Sequence, residues 1–187
     1  MQPVTPHSTV TKLFALLTLF LLTLASCDLV DDLVEPIEFT ITTPEAKFLL
    51  DEQEAAGTMT LEIRELSLGI PQELADENVS ADRLTSLRPE SITLRLVDPG
   101  EVNLSVIEVA TIRIEAHGVA PVTFASGELA LNAANTEAML DVRDVDLADA
   151  LLAPSADYLM TITTNGPVPE ATEIAVSMRL RGEAEVL

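Results

Sequence analysis

Cysteine occurs once in the 187-residue chain, at Cys27, and tryptophan does not occur at all. A single Cys excludes an internal disulfide framework and any Cys-rich metal centre. Two histidines are present, His7 and His117, and His7 precedes the apolar run of the expected leader; the mature chain would keep His117 alone, with neither a His pair for zinc nor a CxxC. A serine nucleophile would need His117 as its base, and no Gly-x-Ser-x-Gly elbow accompanies it. His117 falls on the polar phase of an alternating segment just before Gly118, which predicts a solvent-facing side chain. Aromatic residues make up 3% of the chain, too few for the flat platforms on which sugars stack. Phe39, Phe48, Phe124 and Tyr158 all fit core-facing strand phases. Basic residues are scarce too, with 10 Lys and Arg against 31 Asp and Glu and a formal charge of −21. Such a surface repels phosphate backbones, so nucleic acid is not expected as a partner. Lys appears only at Lys12 and Lys47. Strong acidity with little Lys fits either adaptation to high salt or a surface kept soluble by its net charge.

Hydrophobic residues make up 48% of the chain, enough for a true core. The most apolar run, Leu13–Leu24, follows Lys12 and is interrupted only by two threonines. At twelve residues it is too short to span a bilayer of roughly 30 Å as a helix, and it fits the h-region of a signal peptide. No second run is long enough to cross. The leader ends Leu24-Ala25-Ser26-Cys27. That quartet resembles the lipobox of bacterial lipoproteins. The resemblance implies cleavage between Ser26 and Cys27, diacylglycerol on the Cys27 sulfur, and acylation of the new amine. It also accounts for the lone Cys, because a thiol is the nucleophile that takes the lipid. Two or three acyl chains hold a protein stably on a membrane that it does not span. Asp28 at the next position resembles an inner-membrane retention signal of enterobacterial lipoproteins. The cluster Asp28, Asp31, Asp32 and Glu35 resembles the acidic surface-export signals of other groups. The outer membrane or cell surface is the favoured location.

Three segments are expected: a signal peptide over 1–26, a lipidated Cys with an acidic tether over 27–36, and one domain over 37–187. Within that domain the dominant signal has period two. Ile37, Phe39 and Ile41 alternate with polar neighbours, as do Met59, Leu61 and Ile63, before a one-residue slip to Leu66 and Leu68. That slip predicts a β-bulge near Arg64–Glu65 or a break between strands. Further faces are Ile92/Leu94/Leu96, Ile112/Ile114/Ala116, Val122/Phe124, Tyr158/Met160/Ile162 and Ile174/Val176/Met178/Leu180. Asp98-Pro99-Gly100 and Asn165-Gly166-Pro167 read as turns. The expected fold is all-β: an antiparallel β-sandwich, immunoglobulin-like or jelly-roll-like, of about seven to nine strands with one or two short helices in loops. Residues 44–56 are read as strand, although Pro44 and Gly57 would also suit the ends of a helix. Pro71–Leu84 is expected to be a loop with a short helix, and Asp146–Leu152 two helical turns from an Asp cap. From Ser91 onward the pattern resembles small β-rich lipoproteins of Gram-negative envelopes; that resemblance implies fold and location and carries no catalytic motif.

Asp141, Asp144, Asp146 and Asp149 form a weak candidate set for Ca²⁺, since closely spaced oxygen ligands suit a hard cation. Arg143 sits inside the set, and neither an EF-hand glycine nor a terminal bidentate Glu follows in register. A solvated loop with an Asp cap is the competing reading. No metal, cofactor or catalytic residue is expected. The leading expectation is a non-enzymatic, membrane-anchored module that contacts another envelope protein. A small-ligand or Ca²⁺-binding module is the alternative, and an enzyme a distant third.

Overall fold

In the computed structural model, which describes residues 36–98 and 102–185, the alternation seen in the sequence becomes two packed sheets. The signal peptide, Ser26, Cys27, the tether as far as Glu35, and Pro99 and Gly100 of the expected turn lie outside the described residues. The strands are β1 (Ile37–Thr42), β2 (Ala46–Leu50), β3 (Thr58–Leu66), β4 (Leu84–Leu96), β5 (Ile107–Ala116), β6 (Val122–Glu128), β7 (Ala130–Leu131), β8 (Glu137–Leu140), β9 (Ala156–Thr164) and β10 (Thr172–Ala184). Two short helices, α1 (Ile70–Asp76) and α2 (Ala148–Leu151), lie in connections. Every strand pairing is antiparallel. One face of each sheet is apolar because period-two side chains point alternately in and out. In β9, for example, Ala156, Tyr158, Met160, Ile162 and Thr164 are buried while the residues between them are half exposed.

The six-stranded sheet runs β1-β10-β4-β8-β7, with β2 also on β10; the four-stranded sheet runs β3-β9-β5-β6. β1 and β2 lie end to end along the same side of β10. Between them Thr43, Pro44 and Glu45 oppose only Ser177 and Met178, so the register slips by one residue. Proline is tolerated there because an outer strand needs no ladder donor on its free side. Thr43 bridges the gap: its N–H donates to the Met178 carbonyl at 2.9 Å, and its Oγ1 accepts from the Met178 N–H at 3.1 Å. The stretch expected as strand is therefore strand only over Ala46–Leu50.

Taking β1/β2 as one broken strand and β7 as the short hairpin arm of β8, the order resolves into eight strands. The first pairs with the last, the second with the seventh, the third with the sixth and the fourth with the fifth. That nesting defines a jelly roll and excludes the immunoglobulin-like alternative. The ten strands exceed the expected range because Pro44 splits one strand and β7 is only two residues long. One flank is closed where Ala125 bridges Val142, the Ser126 N–H donates to the Asp141 carbonyl at 3.1 Å, and the Arg143 N–H donates to the Phe124 carbonyl at 2.9 Å. The other flank carries the outer edges of β1/β2 and β3, neither of which pairs beyond its single neighbour among the described residues.

The bulge in β3 falls where the pattern slips: pairing with β9 jumps from Ile63 to Leu66, and Glu65 adopts φ 52°. β4 is longer than its alternation, beginning at Leu84 and passing through Pro89. Ser91 faces Arg179 and Pro89 faces Leu180, so Glu90 is the extra residue of a second bulge. β8 pairs with β4 only over Ile92–Arg95, so no strand requires an N–H from Pro89 on that side. α1 begins at Gly69 (φ 63°) with Pro71 in its first turn and buries Ile70 and Leu74, as a short helix within the 71–84 loop. Leu104–Val106 forms a 3₁₀ turn whose Asn103 side chain accepts from the Ser105 N–H at 3.1 Å.

Candidate functional site

The interior is filled. Phe48, Phe124, Leu50, Ile112 and Ile114 are among its fully buried side chains. The space left between Phe48, Ile112, Phe124, Tyr158 and Met178 is about 10 Å³. That is less than a bound water needs, so the sandwich is a packed core and not a ligand lumen. Burial pushes the Tyr158 phenol well above its usual range. Phe48, Phe124 and Tyr158 are all buried, and Phe39 lies half-buried across Gly182, so among the described residues no aromatic forms an outward platform.

A depression of about 780 Å³ lies wide open at the end of the four-stranded sheet where β3 finishes and β9 begins. Glu62, Arg64, Glu65, Glu115, His117 and Asp157 line it. Its charges are engaged locally. Arg64 Nε lies 3.0 Å from Glu62 Oε1, and Glu62 raises the Arg64 pKa through that hydrogen bond. Arg113 pairs with Glu115, and the Asp157 Oδ1 accepts from the Glu65 N–H at 2.9 Å, which pins the bulge. His117 is exposed, as the polar phase of its strand requires. Charges in such an open setting remain solvated, where Coulomb terms are weak.

The four candidate aspartates are used separately. Asp144 pairs with Arg88 at 2.8 Å and raises the Arg88 pKa through that hydrogen bond. Asp146 Oδ1 accepts from the Leu87 N–H and the Ala148 N–H, each at 3.0 Å, tying the start of α2 to β4. It stands one residue ahead of Leu147, the N-cap position of a helix only four residues long, so the expected Asp cap becomes a two-way clamp. Asp141 sits beside Gly127 across the closed flank, and Asp149 lies in the first turn of α2. Among the described residues no three His, Cys, Asp or Glu side chains are grouped to hold a metal ion.

A surface that motif reasoning passed over lies on the outer face of the four-stranded sheet. Thr60, Thr161, Thr111 and Ser126 stand in one cross-strand row spanning all four strands. Thr58 and Thr163 stand beside them, and the pairs Thr58–Thr163 and Thr60–Thr161 are joined through their hydroxyls at 3.0 and 3.1 Å. The signal was present in Thr58-Met59-Thr60 and Thr161-Ile162-Thr163, but only the register brings the two into one array.

The class that these features define is a jelly-roll β-sandwich with a packed interior. No protein-family profile matches the chain, and no curated protein does. Among solved structures, a chain in a structure of turnip yellow mosaic virus is similar at 14% identity and a TM-score of 0.27, covering 81% of this chain and 97% of that one. The fold assignment here rests on strand order alone.

Proposed function

We infer that the protein is a non-catalytic, lipid-anchored module of the bacterial envelope that works by contact with other protein surfaces. The observation that carries this is Leu24-Ala25-Ser26-Cys27, with Cys27 as the only cysteine in the sequence. A lipidated Cys would hold the jelly roll at a membrane through a short acidic tether. The filled core supports contact over ligand storage, since the space between Phe48, Ile112, Phe124, Tyr158 and Met178 is only about 10 Å³. Open strand edges on one flank offer main-chain hydrogen bonds to a partner.

Metabolic labelling with a fatty acid tests the anchor. Wild-type chain should carry label and fractionate with membranes, and Cys27→Ser should lose the label and keep the leader. Label retained after Cys27→Ser would refute lipidation at this position.

A further inference from the structure

Edge strands in stable proteins are blunted by proline, lysine, bulges or cover. β1/β2 carries Pro44 and a slipped register at its centre, and β6 is covered by Asp141–Arg143. The first two thirds of β3, Thr58–Ile63, contains neither proline nor lysine, and its bulge comes only afterwards, at Glu65. The direction of its backbone groups follows from one anchor point. The Thr164 N–H donates to the Gly57 carbonyl at 2.8 Å, so Gly57 faces β9. Alternation then turns the N–H and C=O groups of Thr58, Thr60 and Glu62 outward, and among the described residues no strand pairs with them. All three residues are exposed.

We propose that this edge is a self-association site, where β3 of a second copy pairs antiparallel about a two-fold axis at Thr60. The proposal deepens the contact reading above by naming the surface and the partner. The sequence is self-complementary in that register. Thr60 faces its own copy, Thr58 faces Glu62, and Met59 faces Leu61 across the axis. Half-buried Met59 gains an apolar cover, and the outward groups of three residues per copy close about six backbone hydrogen bonds. Thr58-Met59-Thr60-Leu61 is uncharged in a chain of net charge −21, and Glu62, the acid within the paired stretch, forms an ion pair with Arg64. The edge is thus a place where two copies can approach without direct charge repulsion. Pairing also extends the row Ser126-Thr111-Thr161-Thr60 into the second copy, giving one continuous eight-stranded sheet from two four-stranded ones. A two-fold isologous contact of this kind closes on itself, so it stops at two copies.

The test is the mass of the full chain, extracted in mild detergent, by sedimentation equilibrium. About 1 M salt shortens the Debye length to ~3 Å and suppresses repulsion between the acidic surfaces. Two chains per particle are expected. Thr60→Pro removes an outward N–H that β9 does not use, so it should give one chain per particle with an unchanged circular dichroism spectrum. Thr60→Lys places like charges opposite each other at the axis and should do the same; it decides the matter if the proline variant misfolds. A wild-type chain that is single at every concentration, or a folded Thr60→Lys that stays paired, overturns the proposal. Intact mass of the same sample reads the acyl groups on Cys27, so loss of the anchor and loss of edge pairing are scored separately.

Discussion

Gly182 lies on β10, between β1 and β4, with its φ outside the left-handed region, so its role is spatial and not conformational. It pairs directly with Phe39 on β1, whose ring fills the place where a side chain would stand. A Cβ built on Gly182 would fall no more than 2.7 Å from Cζ, Cε1 and Cε2 of that ring. Gly182→Ala must therefore push the Phe39 ring aside at the rim of the core. Overpacking of this size costs about 1–3 kcal/mol, against a gain of about 0.4–1 kcal/mol from a stiffer unfolded chain. The net expectation is a loss of about 0.5–2 kcal/mol, which lowers Tm by roughly 2–4 °C per kcal/mol for a domain of this size. The sign should reverse when the ring is absent. In a Phe39→Ala background, Gly182→Ala should stabilise by about 0.4–1 kcal/mol, giving a coupling energy of about 1–3 kcal/mol. Urea unfolding of the four chains completes the cycle. Equal effects of Gly182→Ala in both backgrounds would refute the idea that the ring occupies the glycine's missing side chain.

The aspartates should separate sharply. Asp146→Ala strands the Leu87 and Ala148 N–H groups and should cost about 1–3 kcal/mol in denaturant unfolding. Asp144→Ala removes only an exposed ion pair and should leave the unfolding midpoint unmoved; equal losses at the two positions would contradict the clamp. Tyr158 predicts alkaline sensitivity. An unfolded tyrosine ionises near pH 10, whereas the folded phenol holds its proton to higher pH. Its contribution is thus complete below about pH 10 and falls above it, by up to about 1.4 kcal/mol per pH unit. Tyr158→Phe should flatten that fall in stability between pH 10 and the folded ionisation, read from urea midpoints across pH.

Several elements were legible because their causes are local. Alternation in Tyr158–Thr164 and Ile174–Leu180 reports directly which side chains face inward, and the structure buries them in that phase. The slip after Ile63 marked the β3 bulge, since a one-residue shift must move side chains to the opposite face. The helix formers after Pro71 signalled a short helix, which the structure places at Ile70–Asp76. The alternation marked this strand only over Ile92–Leu96, whereas β4 begins at Leu84 and passes through Pro89. Only the extra residue opposite β10 and the absence of a neighbouring strand on the other side let proline lie there.

Strand order could not be read from any segment. The first and last strands meet through Thr43 and Met178, 135 residues apart, and periodicity carries no information about a partner at that distance. Choosing a jelly roll over an immunoglobulin-like sandwich depends entirely on such pairings. The same holds for the aspartates: spacing suggested a shared cation, while tertiary contacts sent Asp144 to Arg88 and Asp146 to two backbone N–H groups. By itself the sequence determined the all-β class and the inward faces, because period-two alternation acts within one strand. The tertiary structure decided the nesting of strands, the filled interior and which strand edges stay unpaired among the described residues, because those depend on which distant backbones satisfy one another's hydrogen bonds.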